Sequence, residues 1–515
     1  MKAISIDTCA VRGNLDKGYL TCVSASRAYL LLRADHMAHL KTVHDECGFS
    51  YVRFHGLLQD DLGIYRIDKS GQPIYSWQYC DAVYDHILDI GMRPFVVFDF
   101  MPEALASGDK TIYWERSNIT KPASYEEWYN LIFRITAHFT ERYGEDEVKQ
   151  WYFEVWNEPD GWFFDGSQED YFKLYETAAR AVKAVCSDYR IGGPSVAGAY
   201  DWLPALADYC REHGVPLDFF SAHTYALTEF AAGQKSTADV HIPTWKPGTP
   251  WGLSNLKLSP DMVPDAVRRC TALLAEKGLS DIPVHFTEWG LTYCYWDPLH
   301  DSYRAPSHML RALKQSIHHV ASMSFCEVSD VFEEDGPPTD HFHGGFGLLN
   351  LQGIRKPSFF AYRFLHMLGD QELVCEDDDT IVCQNACGYQ ILTWNPTYRQ
   401  NTENIHYYGC DNPPQESEER IFRLKNVKNG SYTLRQYRVG YMANDAHTAF
   451  LQMKRKESLS RAEVAALNTL ADGSPEQTFP VEIEDGQFEY STVLRDNDVL
   501  LLTLTSEPSH TSRKR

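Results

Sequence analysis

Short apolar runs alternate with longer stretches of helical periodicity over the first two-thirds of the chain. Leu20–Ser24 precedes helix-like Ala34–Cys47, Tyr51–His55 precedes Trp77–Ile90, and Pro94–Phe100 precedes Tyr125–Tyr143. Trp151–Trp156 leads to Gln168–Cys186, Ile191–Pro194 to Trp202–His213, and Phe219–His223 to Val263–Lys277. Val284–Trp289 then precedes Ser307–His319, and Ala321–Val328 precedes Pro357–Leu368. Continuous apolar strands interleaved with helices predict a parallel sheet covered by helices on its outer face. Eight such units predict a closed (β/α)8 barrel, an α/β fold whose active site lies at the C-terminal ends of the strands. Long loops follow several strands at that end: Gly56–Ser76, Pro102–Ala123, Ala226–Pro260 and Val331–Lys356.

Beyond about Asp370 the pattern changes. Thr380–Val382, Tyr389–Thr393, Glu419–Leu424, Tyr432–Val439, Thr478–Ile483 and Val499–Thr503 are short strand-like runs separated by Asn, Gly and Asp. They predict an antiparallel β-sandwich. Ser460–Leu470 reads as a helix, because Ser460 followed by Glu463 is a capping-box pattern. The expected organisation is therefore a catalytic barrel over 18–370 and a β-sandwich accessory domain over 371–515, with residues 1–17 joining the latter. The sandwich shows no aromatic stripe fit to hold sugar, which favours structural and oligomeric roles and a homo-oligomer.

The formal net charge of −23 over 515 residues disfavours phosphate backbones and anionic lipid, so neither nucleic acid nor membrane is expected as a partner. An uncharged ligand carries no such penalty. No apolar stretch is long enough to span a bilayer, and Met1–Asp7 lacks the apolar core of an export signal. The thirteen cysteines are scattered without paired spacing, which suits free thiols in a cytoplasmic protein. Cys383 and Cys387 have no second half-site and read as packing. The polar tail Ser506–Arg515 reads as a frayed terminus.

The densest chemical signal is Trp151-Tyr152-Phe153-Glu154-Val155-Trp156-Asn157-Glu158-Pro159-Asp160. An aromatic strand ends there in a polar cluster. Pleat alternation places Glu154 and Glu158 on one side; Glu154 reads as a buried structural carboxylate, Glu158 as a group at the rim. Val284-His285-Phe286-Thr287-Glu288-Trp289-Gly290 ends in the same manner. The two glutamates close the fourth and seventh strands, positions that face one another across an eight-stranded mouth. Paired carboxylates suit glycosidic cleavage, one remaining ionised and the other held protonated. Trp289 offers a candidate flat face for a sugar ring. His341-x-His343 lies in a glycine-rich loop without a third ligand, so no metal is expected, and no cofactor.

Trp156-Asn157-Glu158-Pro159 with the later glutamate resembles the 4/7 barrel superfamily of retaining glycosidases. Adding Tyr51-Val52-Arg53-Phe54-His55-Gly56, Asp330-Val331-Phe332-Glu333-Glu334 and Phe342-His343-Gly344-Gly345-Phe346-Gly347 narrows the resemblance to glycoside hydrolase family 39, which holds β-xylosidases and α-L-iduronidases. The resemblance implies Glu158 as acid/base, Glu288 as nucleophile and Asn157 as partner of the sugar 2-hydroxyl. It further implies His55, His223, Glu333 and Glu334 as residues of subsite −1, and Tyr225 as the phenol that steers the nucleophile. The implied activity is retaining, exo-acting hydrolysis of β-1,4-linked xylose from xylo-oligosaccharides. The long loops after strands two, six and eight fit a closed pocket.

The chain departs from the xylosidase pattern where a tryptophan is expected in strand eight; Cys326 stands there, and Glu327 replaces a small polar residue. A thiol forgoes stacking worth roughly one to three kcal/mol, so a wider pocket floor and another β-galactoside, β-glucoside or arabinoside substrate form the second reading. The first strand also carries serines where the family commonly has glycine. A uronic acid needs a cation, and Tyr225 stands where iduronidases carry lysine, which disfavours that activity. A non-catalytic carbohydrate-binding barrel is the remaining alternative.

Overall fold

The computed structural model describes residues 1–228, 257–398 and 405–507. The loop expected over Ala226–Pro260 lies for the most part outside them, as does most of the tail Ser506–Arg515. Eight strands close a barrel: β1 Cys22–Arg27, β2 Tyr51–His55, β3 Arg93–Phe98, β4 Tyr152–Val155, β5 Arg190–Val196, β6 Phe219–Tyr225, β7 Val284–Gly290 and β8 Ser322–Phe325. All neighbouring pairs are parallel, and β8 closes onto β1 through Phe325 and Val23.

Strand and helix positions follow from the burial each sequence can support. Strand β3 is buried from Pro94 to Phe98, as a strand covered on both faces must be. The helix Tyr125–Tyr143 buries Trp128, Leu131, Ile132, Ile135 and Phe139, a stripe at helical spacing, and its first turn is capped by Ser124 accepting from the Glu127 amide. Ser167 and Asp170 form a reciprocal capping box at the start of Gln168–Val185. Gly48, at φ 78°, ends Ala34–Cys47 in the left-handed conformation that glycine tolerates best.

One expectation about β4 fails for a backbone reason. The strand ends at Val155, because Trp156 takes φ 70° and Glu158 φ 47°. The pleat alternation that would set Glu158 on the same side as Glu154, four residues on, is therefore broken, and Glu158 projects from a turn instead.

The chain divides into two compact units. One holds Gly18–Tyr293 and Gln315–Thr339, including all eight barrel strands; the other holds Met1–Lys17, Cys294–Lys314 and Asp340–Arg515, including the helix Pro357–His366. In the second unit a seven-stranded sheet runs Val11–Asn14, Gln371–Leu373, Thr380–Asn385, Gly388–Trp394, Val499–Ser506, Gly430–Val439, Gln477–Ile483. A three-stranded sheet of Lys2–Asp7, Ser417–Lys425 and Gln487–Arg495 packs on it, sharing a core of Ile4, Ile6, Phe422, Leu424 and Phe488 with Val382, Ile391, Leu434 and Leu502. The sandwich is antiparallel except where Lys2–Asp7 lies parallel to Ser417–Lys425. The helix Arg461–Leu470 starts at Ser460 with the expected capping box to Glu463.

Candidate active site

Glu158 is held by the turn that follows β4. Its amide donates to the carbonyl of Ser195, and Asp160 two residues on accepts from the amides of Ala197 and Ala199, each at 2.9 Å. The Trp156 indole donates to the carbonyl of Phe163 at 2.7 Å, tying the other side of the turn. Glu288 stays on its strand, paired in register with His223 of β6. The local irregularity between Ala222 and His223 brings the two side chains level.

His223 connects the two glutamates. Its Nδ1 lies 2.7 Å from Glu158 Oε1 and 3.5 Å from Glu288 Oε2, while Nε2 meets the Ser195 hydroxyl at 3.0 Å. One oxygen of each carboxylate and the ring nitrogen all lie within 4.8 Å of one another. His223, expected to hold a sugar hydroxyl, has both ring nitrogens engaged by protein groups instead. The Tyr225 hydroxyl donates to Glu288 Oε2 at 2.8 Å.

Arg53, absent from the expected set, sits beneath these groups at 1% exposure. It donates to Glu154 Oε2 at 2.7 Å, Glu288 Oε1 at 2.8 Å, Asn157 Oδ1 at 2.8 Å and Ser195 Oγ at 3.2 Å. Glu154 is buried and also accepts from the Thr287 hydroxyl, in keeping with a structural carboxylate. Because Arg53 takes the Asn157 carbonyl oxygen, the amide NH2 of Asn157 is left to donate. A signal for Arg53 existed: residues 51, 53 and 55 share one face of β2, and an arginine on the interior face of a buried strand must find carboxylates.

On the opposite wall His55 Nε2 lies 3.5 Å from Glu334 Oε1, and its ring stacks 5.9 Å from that of Tyr113. Glu334 also bonds the Tyr113 hydroxyl. Glu333 turns away from this group and is ion-paired with Arg33 at 2.7 Å. Trp289 does not offer its face to a ligand: it is 0% exposed and packs edge-on against Phe325 at 5.7 Å. Strand alternation explains this, since Glu288 points inward and its neighbour points to the helical layer. Three further acids lie nearby, of which Asp99 and Glu115 carried no signal in the sequence and Glu327 was marked there only as a departure from the xylosidase pattern. Asp99 accepts from the Gly56 amide at 2.6 Å, Glu115 accepts from the Ser117 hydroxyl, and Glu327 is buried beyond β8.

The electrostatics separate the two glutamates. Burial pushes the Glu158 carboxyl up and the charge of Glu288 adds to this, against the opposing hydrogen bond from His223. Glu288 experiences the same burial, but His223, Arg53 and the Tyr225 hydroxyl outweigh it and hold the carboxyl down at about 2. Burial disfavours the imidazolium of His223, yet the charges of Glu288 and Glu158 raise it overall. Glu334 is raised by burial and by Glu288. The pocket thus displaces the proton affinities of its two neighbouring carboxyls in opposite directions, Glu158 upward and Glu288 downward.

The model of the family "Glycosyl hydrolases family 39" matches residues 2–472. A β-xylosidase of Geobacillus stearothermophilus is 35% identical over 99% of this chain and 97% of its own length. A β-xylosidase of Caldicellulosiruptor saccharolyticus is 39% identical over 79% of this chain and 83% of its own. Among solved structures, a monomeric β-xylosidase from Caulobacter crescentus CB15 superposes with a TM-score of 0.91 at 34% identity, covering 99% of this chain and all of that one. The resemblance carried by the four sequence strings is borne out at the scale of the whole chain, which belongs to glycosyl hydrolase family 39 and is a glycoside hydrolase of the 4/7 barrel clan.

Proposed function

We propose that the protein is an exo-acting β-D-xylosidase that releases β-1,4-linked xylose from the non-reducing end of xylo-oligosaccharides with retention of configuration. The observation that carries this reading is the pair Glu158 and Glu288, with oxygens inside a 4.8 Å cluster and proton affinities displaced in opposite directions. Retaining glycosidases keep their carboxyl groups about 5–5.5 Å apart, because one must reach the anomeric carbon itself. The names of the relatives support xylose as the sugar.

In the first displacement Glu288 attacks the anomeric carbon, the bond to the leaving oxygen breaks, and the Glu158 proton passes to that oxygen. Tyr225 and Arg53 hold Glu288 so that one oxygen points at carbon. Once Glu288 is esterified its negative charge is gone, Glu158 no longer feels it, and the freed Glu158 carboxylate takes a proton from water. That water attacks the anomeric carbon and Glu288 leaves as carboxylate. The Asn157 amide donates to the 2-hydroxyl, and His55 with Glu334 receives other ring hydroxyls. Trp289 and Glu333 support the pocket from outside it.

Xylobiose hydrolysis followed by proton NMR tests this directly. The β-anomer of xylose is expected first, with the α-anomer appearing only as mutarotation proceeds. Release of the α-anomer first refutes the retaining mechanism, and no release from xylobiose or an aryl β-xyloside refutes the xylosidase reading. Glu288→Gln separates catalysis from mere sugar binding, since a binding protein keeps its behaviour. The small Cys326 favours a second reading in which the same chemistry serves another glycoside. We also read the thirteen cysteines, none of them joined in a disulfide, as fitting a cytoplasmic protein, and the sandwich as a surface for homo-oligomers that sedimentation would reveal.

A further inference from the structure

Glu327 is a barrel acid with both carboxyl oxygens buried and without a hydrogen-bond partner among the described residues. It lies two residues past β8 and is 1% exposed. The Ser26 amide faces it without reaching hydrogen-bond geometry. The Cys326 amide before it donates to the Trp289 carbonyl and the Val328 amide after it to that of Ser24, so it is held between β7 and β1, close enough to feel the charges of Glu334, Glu288 and Asp330. Burial and those neighbours push its carboxyl well up, which equips it to donate as well as accept. A buried polar group left unpaired costs a protein about 1–3 kcal/mol, a penalty removed when a ligand supplies the missing bond.

Cys326 stands beside it, next to the Tyr225 hydroxyl and Glu288. Its side chain ends at Sγ, so this wall of the pocket is short. A terminal xylopyranosyl unit presents only ring hydroxyls at carbons 2, 3 and 4. Asn157, His55 and Glu334 already provide donors and acceptors for these. An exocyclic hydroxymethyl group adds one carbon and one hydroxyl, and so needs both a short wall and a further polar partner.

We propose that Glu327, with Cys326 beside it, is a specificity-determining residue that receives the exocyclic hydroxyl of a terminal β-D-hexopyranoside. The proposal rests on the retaining-glycosidase reading and names a sugar class beyond xylose for that same pocket. Glu327 touches no bond that breaks; its contribution is to glycone selection.

The test compares kcat/KM of the wild-type protein on aryl β-D-xyloside, β-D-glucoside and β-D-galactoside, and on the 6-deoxy counterparts of both hexosides. At least one hexoside is expected to be hydrolysed and to lose about tenfold or more on removal of its 6-hydroxyl, the size of a lost hydrogen bond to a charged or strongly polar group. In Glu327→Ser and Glu327→Gln the ratio of that hexoside to the xyloside should fall by about tenfold. Cys326→Trp should lower the same ratio by filling the space. The three variants guard against misfolding in any one of them, and the 6-deoxy comparison needs no variant. Xyloside hydrolysis without hexoside hydrolysis, or a hexoside indifferent to its 6-hydroxyl, overturns the role of Glu327 while leaving the glycosidase intact. No turnover of any aryl glycoside by the wild type overturns both.

Discussion

His223 Nδ1 lies 2.7 Å from Glu158 Oε1, and the imidazole that makes this contact is fully buried. His223 opposes the burial that raises Glu158, and it is the leading group that holds Glu288 down. Removing it should therefore move both carboxyls upward. The proposed mechanism requires Glu288 ionised and Glu158 protonated, so both limbs of the bell-shaped kcat/KM profile of His223→Asn should shift to higher pH. A displacement of about one unit or more is expected for loss of an opposite charge at this range. An unmoved profile with reduced kcat would leave His223 a packing residue.

Arg53 joins Glu154, Glu288 and Asn157 through one guanidinium. A lysine keeps the charge but not the fork, and cannot reach three partners at once. Arg53→Lys should lose about 3–5 kcal/mol of stability, the cost of breaking a buried ion pair. Its acid limb should rise because Glu288 is less well held. Thermal unfolding and the pH profile together check this; a melting temperature equal to wild type contradicts it.

Glu115 is raised by burial to about 7, with Arg27 only partly compensating. A carboxyl whose folded value lies above its unfolded value favours folding least at high pH. The penalty grows as pH rises from the unfolded value near 4.5 and is complete above about 7. Glu115→Gln should accordingly raise stability by about 1–3 kcal/mol at pH 8 and change it little at pH 4. Equal effects at both pH values in thermal unfolding would refute the assignment.

Ser460 caps Arg461–Leu470 and is bonded reciprocally to Glu463, far from any residue of the pocket in role. Ser460→Ala should cost about 1 kcal/mol of stability in the second unit while leaving turnover unchanged. Chemical denaturation and an aryl-glycoside assay on the same preparation check both parts.

The elements legible in the sequence were those with a clear period, helical in the barrel layer and alternating in strands such as Tyr432–Val439. Ala34–Cys47, Tyr125–Tyr143 and Trp202–His213 carry apolar residues at helical spacing and end where the pattern ends. Gln487–Arg495 escaped notice because it alternates exposed polar residues with few buried ones and packs on Ser417–Lys425. The two glutamates were legible because aromatic strands end in them. The roles of Arg53, Asp99, Glu115 and Glu327 were not, because each depends on carboxyls and amides that the closed barrel brings together from distant strands. Trp289 misled through its composition: an aromatic beside a catalytic candidate suggests a platform, whereas the strand direction turns it into the core.

The parallel pairing of Lys2–Asp7 with Ser417–Lys425 constrains how the protein is made. Thr8 bonds the Lys425 carbonyl across 417 residues of sequence. At roughly 5–20 residues per second of synthesis, Ile4 and Ile6 wait about 20–80 s for Phe422 and Leu424 to leave the ribosome. During that interval the barrel strands between them are already available to pair. The pairing of Lys2–Asp7 with Ser417–Lys425 therefore cannot form until synthesis has passed residue 425, which makes it one of the last steps open to the growing chain.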